Sequence, residues 1–333
     1  MSQNLSKVSV CIPTYNRADY LVYSINSVLN QTYTNFELII CDDGSTDNTS
    51  EVVSQFNDSR IRYIEHPNNI GRSRNMRSGF DVACGNYFIK IDDDDALTPE
   101  FLEKTIAVLE AEPNVDFVCT NHWIINQKSE RVESATVENS AKWKKDQLKE
   151  GIIPDLLRQT FQYQSLQVGS TLFRRTCLEE VNYMRTEADA CEDFDLLVRL
   201  ALAGKQGYFL PEFLMEYRLH GKQTSLRQDL HFLSAKVFCI SSYKFSEQEL
   251  ETHRLYKLAG TQQILGLRLI EKGDTLEGRR ILRESTQVLG PSRKATLGLI
   301  LSYLPVSLRQ IAFKGFRQIR SKDYSGRVRE TVG

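Results

Sequence analysis

Four consecutive aspartates, Asp92 to Asp95, follow the apolar stretch Tyr87 to Ile91. Adjacent carboxylates repel one another unless a positive charge neutralises them. Carboxylate oxygens are ligands that Mg²⁺ and Mn²⁺ prefer, and Mg²⁺ usually completes its coordination with substrate phosphates and water. The cluster therefore predicts a divalent cation that binds together with a phosphorylated ligand.

The aspartate cluster has two alternatives to a Mg²⁺ or Mn²⁺ site: a calcium-binding EF-hand loop and a solvated acidic turn. A calcium-binding EF-hand does not fit, because Leu97 stands where the loop requires glycine and Ala96 has no ligand oxygen. A solvated acidic turn is the remaining alternative. The position of the cluster directly after a buried apolar strand favours the metal site.

A second acidic segment, Asp42 to Asp47, follows another apolar run. Gly44 permits a tight turn there, and Ser45 or Thr46 can cap the next helix. A carboxylate at the end of such a strand can accept hydrogen bonds from a base or a ribose. The sequence has no G-x-G-x-x-G and no G-x-x-x-x-G-K-[ST], which disfavours a nicotinamide or flavin cofactor and a P-loop.

Two further polar segments precede predicted helices. Asn68 to Asn75 brings Arg72 and Arg74 to a helix N-terminus, a place that favours anions such as phosphate. Cys191 to Asp195 opens an amphipathic helix with three acidic residues. Taken alone, the arginines could be solvated charges and the acidic residues could be partners of the helix dipole.

The last polar segment is Tyr217 to Gly221, in which Arg218 and His220 alternate along an extended stretch. Alternate residues of an extended chain lie on one face, so both side chains point the same way. A single histidine is more often structural than a ligand. This segment by itself does not decide between the two roles.

The elements that must position these segments alternate between strands and helices. Short apolar runs predict strands at Val8–Ile12, Glu37–Cys41, Ile61–Glu65, Tyr87–Ile91 and Asp116–Thr120. Helical spacing predicts helices at Tyr20–Asn30, Thr46–Gln55, Arg74–Cys84 and Pro99–Glu112, the last one capped by Thr98. This order predicts an α/β fold with a mainly parallel, Rossmann-like sheet flanked by helices. Ligands of such folds bind beyond the carboxyl ends of the strands.

The second half of the chain is less regular. Residues 121–169 are polar and predict insertion and acceptor-side loops with one helix near Ile153–Phe161. Further elements are predicted at Ser170–Phe173, Phe194–Ala203, Tyr208–Leu210 and Met215–Leu219. The chain then becomes helical, and Leu255–Leu289, interrupted by Gly273, predicts one antiparallel helix pair. We therefore expect a catalytic domain at 1–225 and a helical region at 226–333.

The C-terminal segment joins the apolar run Leu297–Leu304 to a basic tail after Pro305. Such a tail can lie on an anionic membrane surface. It can equally be a packing helix followed by a solvated terminus, and the sequence leaves both open.

Composition limits the function classes. The 42 basic and 43 acidic residues leave a net charge of −1, so nucleic-acid binding driven by charge is not expected. Seven scattered cysteines without a Cys-x-x-Cys pair, and no secretory signal, predict a reducing cytoplasmic compartment. The sequence has no run of about 18 apolar residues, so no membrane-spanning helix is expected, and peripheral contact with the inner face of the membrane stays open.

Taken in order, these segments resemble the inverting GT-A glycosyltransferases of family 2. The resemblance begins at Val8–Arg17 and continues through the other motifs, which are Asp42–Ser45, Asn69–Gly71 with Arg74-Asn75, Asp92–Asp95, Glu192-Asp193 and Tyr217–His220. It covers about residues 6–225. One departure is that Arg72 and Ser73 stand where many relatives have small residues.

The resemblance implies a role for each matching residue. The nucleotide sugar, which we expect to be UDP-linked, would contact Pro13, Thr14, Tyr15, Arg17, Asp43, Arg74, Asn75, Asp92 and Asp93. Mn²⁺ or Mg²⁺ would bind Asp92, Asp94 and Asp95, with His220 as a further ligand. Asp193 would be the catalytic base and Glu192 would support it. The implied reaction moves a sugar to a hydroxyl of a saccharide or lipid-linked acceptor, as in the synthesis of cell-surface polysaccharides.

Other function classes fit the residues less well. A noncatalytic sugar-nucleotide-binding module would not need Asp92, Asp94 and Asp193 together. A nucleotidyltransferase would need a Gly-rich, Arg-containing loop after Ile12, and a phosphohydrolase would need a hydroxyl at Ala96. The sequence leaves the donor sugar, the acceptor, the linkage and the oligomeric state undetermined.

Overall fold

A computed structural model describes residues 7–220 and 230–318, with side chains up to residue 315. The strands of one mixed sheet are β1 (Val8–Thr14), β2 (Phe36–Asp42), β3 (Ile61–Glu65), β4 (Tyr87–Lys90), β5 (Ala96–Leu97), β6 (Phe117–Ile125), β7 (Gly151–Ile152), β8 (Thr171–Arg174) and β9 (Gly207–Arg218). The strand order is β3-β2-β1-β4-β8-β6-β9-β5, with β7 beside β9. Among these residues the long strand pairs β1–β2, β1–β4, β2–β3 and β6–β9 are parallel, and the short pairs made by β5, β7 and β8 are antiparallel, which confirms the predicted α/β fold with a mainly parallel sheet.

The helices cover both faces of the sheet and form the C-terminal region. They are α1 (Ala18–Leu29), α2 (Thr49–Ser54), α3 (Arg72–Val82), α4 (Phe101–Ala111), α5 (Glu133–Lys142), α6 (Arg175–Glu180), α7 (Glu192–Leu202), α8 (Leu230–Ser242), α9 (Gln248–Lys272), α10 (Thr275–Leu289), α11 (Arg293–Leu301) and α12 (Val306–Gln318). A π-helical turn, Arg158–Tyr163, lies where the sequence predicts a helix at Ile153–Phe161.

Two hydrophobic cores explain why the strand sequences are continuously apolar. Successive residues of a strand point to opposite faces. On β1, Val10 and Ile12 join the core that contains Leu21 of α1, whereas Cys11 joins the core that contains Met76 of α3. Both faces of the sheet are therefore covered, and polar groups are displaced to the strand ends.

Two local predictions differ from the structure. Helix α4 begins at Phe101 with Glu100 as its N-cap, so the prediction that Thr98 caps this helix is wrong. The backbone carbonyl of Thr98 instead accepts from the amide of Phe101. The two strands expected at Tyr208–Leu210 and Met215–Leu219 are one strand, because β9 pairs with β6 along its length and a register shift absorbs the irregular middle.

The described chain divides into two compact units. One contains residues 7–186 and 192–220, and the other contains residues 187–191 and 230–318. In the second unit, α9 ends at Gly273, whose φ of 116° suits glycine, and α10 follows at once. The predicted antiparallel pair is present. Most of the basic tail, from Arg320 onward, lies outside the described residues.

Candidate active site

The polar segments meet at the carboxyl ends of β1, β2 and β4. These three strands are parallel neighbours, so their carboxyl ends lie at the same edge of the sheet. Pro13 and Thr14 end β1, Asp42 ends β2, and the aspartate cluster follows β4. Tyr15 lies beyond β1 and is 44% exposed.

Hydrogen bonds between loops fix the part of the site near β1 and β2. The Asp43 carboxylate accepts from the backbone amide of Ile70 at 2.6 Å, and the Asn16 side chain accepts from the amide of Thr46 at 2.7 Å. Gly44 has a φ of 72°, and a Cβ there would lie 2.6 Å from the backbone of Asn68. The glycine is therefore required by both backbone conformation and the close approach of the neighbouring loop.

The aspartate cluster is held by backbone and side-chain contacts from β9 and α1. The backbone amide of Arg218 donates to Asp95 Oδ1 at 2.9 Å, and its side-chain Nε donates to the carbonyl of Asp94 at 2.7 Å. Ser24 of α1 donates to the carbonyls of Asp92 and Asp95. Arg218 is 1% exposed, so its guanidinium lies within the protein, against the backbone carbonyls of Asp94 and Asn126.

Asp94, His220 and Arg17 form one group on this edge. His220 Nε2 lies 2.8 Å from Asp94 Oδ2, and Arg17 lies 3.2 Å from His220 Nε2 and 3.9 Å from Asp94 Oδ2. These residues are separated by up to 203 positions in the chain. The structure thus brings His220 next to Asp94 of the aspartate cluster.

The donor set can be compared with the needs of Mn²⁺ or Mg²⁺. Asp94 Oδ2 and His220 Nε2 are adjacent and of ligand types that Mn²⁺ accepts, and carboxylate oxygens suit both ions. Within the described residues, no group of three or more His, Cys, Asp or Glu side chains is arranged to hold a metal. Asp94 and His220 supply two donor atoms of suitable type, and an ion held there would take its other ligands from a diphosphate and water.

Lys90 connects the aspartate cluster to the start of α7. Its ammonium lies 3.0 Å from Asp92 Oδ1 and 3.2 Å from Asp193 Oδ2. The side chain of Lys90 is fully buried, whereas those of Asp92 and Asp193 are partly exposed. A buried cation needs such partners, because burial without them is costly. Lys90 thereby fixes the distance between two carboxylates that are about one hundred residues apart in sequence.

Arg72 makes a second connection between the same two elements. From the first turn of α3, its Nε lies 3.0 Å from Glu192 Oε1 and its Nη2 lies 3.7 Å from Asp92 Oδ1. The third acidic residue of α7, Asp195, pairs instead with Arg185 and Arg199. Glu192 and Asp193 therefore face the aspartate cluster, and Asp195 anchors the helix.

The acidic residues of the site differ in their proton affinity. Burial disfavours the ionised form of Asp92, but the cations of Lys90 and Arg72 outweigh it and lower its pKa. Burial, with the Asp94 charge in addition, raises the pKa of Asp93 to about 8 and raises the pKa of Asp95 well above its usual range. Burial also raises the pKa of Glu192, although Arg72 opposes it. The cationic residues therefore favour a charged Asp92.

The resemblance assigns Arg74 and Asn75 to nucleotide binding, but the structure places neither of them in the contacts between Arg72 and the acidic residues. Arg74 is exposed on α3, two positions beyond Arg72. Asn75 is buried, and its amide donates to the backbone carbonyl of Cys41 at 2.8 Å. In this structure Asn75 therefore ties α3 to β2. It is Arg72, the departure from the usual pattern, that contacts the acidic residues.

Lys90 is a site residue that the sequence motifs did not single out. The available signal was a lysine within the apolar run Tyr87 to Ile91, which the structure buries on both faces. A lysine in such a strand requires a carboxylate partner nearby. The apolar pattern of the run predicts a strand. The lysine within it indicates in addition that an acidic residue lies nearby, because a buried ammonium needs a negative partner.

Known proteins resemble this chain in sequence. The sequence profile described as Glycosyl transferase family 2 matches residues 9–171. The chain is 31% identical over 228 residues to a protein of Rickettsia prowazekii (strain Madrid E) named Uncharacterized glycosyltransferase RP339, with 68% of each chain covered. It is 37% identical over 122 residues to an Escherichia coli protein, the UDP-Glc:alpha-D-GlcNAc-diphosphoundecaprenol beta-1,3-glucosyltransferase WfgD, covering 37% of this chain and 48% of that protein.

A solved structure shares the fold. The crystal structure of S. aureus TarS 1-349 in complex with UDP-GlcNAc superposes with a TM-score of 0.62 at 16% identity and covers 96% of this chain and 95% of that one. Several of the curated relatives are matched over less than half of their own length. The sequence matches and the shared fold lead to the same conclusion: the chain is a glycosyltransferase of the GT-A fold and belongs to glycosyltransferase family 2.

Proposed function

We propose that this enzyme transfers a sugar from a UDP-linked donor to a hydroxyl of a saccharide or lipid-linked acceptor, in the synthesis of a cell-surface polysaccharide or glycoconjugate. Support for the donor comes from TarS, whose structure contains UDP-GlcNAc, and from WfgD, whose name specifies UDP-Glc. Support for the acceptor comes from the diphosphoundecaprenol in the name of WfgD. Such an acceptor would place the enzyme as a peripheral protein at the inner face of the cell membrane.

The observation that carries the catalytic proposal is the state of the Asp193 carboxylate. Its Oδ2 is held by Lys90, while its buried Oδ1 has no hydrogen-bond partner among the described residues. A general base needs one oxygen free to accept a proton from the substrate and a fixed orientation for the group. Asp193 has an oxygen without a partner among the described residues, a side chain that is partly exposed and an orientation fixed by Lys90, and α7 presents it at a helix N-terminus, where a carboxylate is stabilised.

The proposed reaction assigns one role to each side of the site. An acceptor hydroxyl gives its proton to Asp193, its oxygen forms a bond to the anomeric carbon, and the bond from that carbon to the diphosphate breaks. Attack from the face opposite the leaving group inverts the anomeric configuration. Glu192, paired with Arg72, keeps the base in place.

The donor would lie along the edge formed by β1, β2 and β4. Pro13, Thr14 and Tyr15 would line its base and ribose, and Asp43 would contact the base. Arg17 would lie near the diphosphate, since it already contacts Asp94 and His220. Mn²⁺ or Mg²⁺, held by Asp94 and His220 with Asp92 nearby, would neutralise the charge of the departing diphosphate.

Replacing the base tests this proposal. Asp193→Asn keeps the shape of the side chain but removes its basicity, so kcat should fall at least about a hundredfold. The dissociation constant for UDP should stay nearly unchanged, because the proposed donor contacts lie elsewhere. Radiolabelled sugar transfer measures the first quantity and calorimetry the second.

A matched control is Asp58→Asn, which alters a partly exposed carboxylate paired with Arg60 in the turn before β3, at the opposite end of that strand from the site. This control should transfer sugar at the rate of the unaltered enzyme. Unchanged turnover of Asp193→Asn would remove Asp193 from the role of base.

A further inference from the structure

The last two helices carry apolar side chains that the other described residues leave exposed. Along α11, the connecting turn and α12, the exposed large hydrophobic residues are Ile300, Tyr303, Leu304, Val306, Leu308 and Ile311. Tyr303 is 74% exposed and Ile311 is 69% exposed. Single exposed hydrophobic residues are ordinary, but consecutive ones mark an interaction surface. We call these six residues the apolar face.

Helix α12 has two apolar sides. Phe313 packs on the core formed by Ile270, Leu282 and Ala295, and buried Arg309 donates to the carbonyl of Ile270 at 2.6 Å. This side fixes α12 to the rest of its unit.

On the other side of α12, the part of the chain that the structure describes provides no such cover. Leu308, Ile311, Ala312 and Gly315 recur at helical spacing and form a separate stripe. Within the described residues, nothing lies within 4 Å of the position that a Cβ of Gly315 would take. The stripe is therefore open to an external partner.

The charge around the apolar face selects the partner. From residue 285 to residue 322 the chain has seven basic residues and no acidic residue: Arg293, Lys294, Arg309, Lys314, Arg317, Arg320 and Lys322. The rest of the chain has 35 basic and 43 acidic residues. Arg293, Lys294 and Lys314 are exposed, and Arg293 lines an open groove of α11 together with Leu297 and Ile300. Such a surface is complementary to negative charge adjacent to an apolar phase.

We propose that the apolar face and its basic flanks dock on an anionic lipid bilayer, with α11 and α12 lying in the interface. Apolar side chains would enter the acyl boundary while exposed lysine and arginine reach the headgroups. Tyr303 suits this position, because its ring is apolar and its hydroxyl is polar. No described helix is long and apolar enough to cross a membrane. Docking is a separate property from sugar transfer and does not depend on the identity of the acceptor.

Vesicle binding of the full chain tests the proposal. The unaltered protein should co-sediment with vesicles of phosphatidylcholine that contain phosphatidylglycerol and much less with phosphatidylcholine alone. The double variant Leu308→Glu with Ile311→Glu should lose at least about tenfold in affinity, because it removes buried apolar area and adds negative charge. The matched control is Val137→Glu on α5, which has the same 69% exposure as Ile311 and should bind like the unaltered protein.

Two further measurements distinguish docking by the apolar face from binding by the basic tail and from loss of catalysis. A chain that ends at Gln318 keeps the apolar face but lacks residues 319–333 of the basic tail, and it should retain binding to the anionic vesicles. Transfer to a soluble acceptor should be the same in the double variant and the unaltered enzyme, so that a failure of docking is not confused with a failure of the proposed function.

Three results would overturn the proposal: equal vesicle binding by the double variant, complete loss of binding in the shortened chain, or concentration-dependent dimers that the double variant abolishes without any vesicle binding. The last result would assign the face to a second copy of this chain.

Discussion

At the scale of single residues, Lys90 fixes the position of the Asp193 carboxylate relative to that of Asp92. It is the buried cation between Asp92 and Asp193, and each contact is a charge-assisted hydrogen bond. Removing it would free Asp193 to rotate and would leave Asp92 with Arg72 and Arg17 as nearby cations. Lys90 is therefore a positioning residue for the proposed base.

Substitution of Lys90 separates positioning from folding. Lys90→Met should lower kcat about tenfold to a hundredfold, the range expected when a hydrogen bond to a charged group is lost. Lys90→Arg should recover part of the loss, because it retains the charge. Steady-state kinetics measure the effect, and thermal melting shows whether each variant is folded.

Lys104→Met is the control for a lysine that pairs with a carboxylate far from the site, since Lys104 contacts Glu212 at the surface. We expect no change in its kcat. If a folded Lys90→Met variant worked at full rate, the bridge would have no part in positioning Asp193.

At the scale of elements, α3 has to lie close to the sheet for Arg72 to reach Asp92 and Glu192. Gly79 makes this possible, since a Cβ at this position would lie 2.5 Å from Cys11 Sγ and 2.7 Å from Cys41 Sγ. Both cysteines are fully buried, so neither strand can yield without disturbing the core. The close packing of α3 on β1 and β2 thus sets the position of Arg72.

Gly79→Ala should lower the free energy of unfolding by about 1–3 kcal/mol, the usual cost of overpacking a core. It should also lower kcat, because α3 would move together with Arg72. Urea unfolding and transfer assays measure the two effects.

The control is Gly260→Ala in α9, where nothing lies within 4 Å of the added methyl among the described residues. Alanine is the better helix former, so this variant should gain about 0.5–1 kcal/mol. If Gly79→Ala and Gly260→Ala had similar free energies of unfolding, α3 would not be packed tightly against the sheet.

At the scale of the whole molecule, donor binding is linked to stability. The proposed donor contacts come from segments that are far apart in sequence, from Pro13 to His220, and these segments are together only in the folded state. A ligand that binds only the folded state stabilises it by about 2.7 kcal/mol at a concentration of one hundred times its dissociation constant. Unfolding of the catalytic unit should therefore respond to the correct nucleotide.

UDP with Mn²⁺ should raise the thermal midpoint by several degrees, whereas GDP or CMP should have a smaller effect. A chelator should reduce the shift, and Asp94→Ala should abolish the part that depends on metal. Differential scanning calorimetry gives both quantities. An equal shift for all three nucleotides would contradict a uracil-specific pocket, and an equal shift in Asp94→Ala would contradict the metal site.

The continuously apolar runs identified the parallel strands in the first half of the chain, because burial on both faces leaves a clear pattern. The weaker patterns of β8 and β9 did not reveal that β8 is antiparallel or that β9 is a single strand. Pairing of distant strands is set by tertiary packing, and a local pattern carries little information about it.

The amino-acid sequence was enough to show which residues could take part in chemistry. It also showed that most of them lie directly after a strand or at the start of a helix. Their partners became visible only in the folded chain: Lys90 with Asp193, His220 with Asp94, and Arg72 in place of Arg74 beside the acidic residues. The reason is geometric. Residues two positions apart on a helix do not share a face, and the phase of α3 depends on how it packs on the sheet.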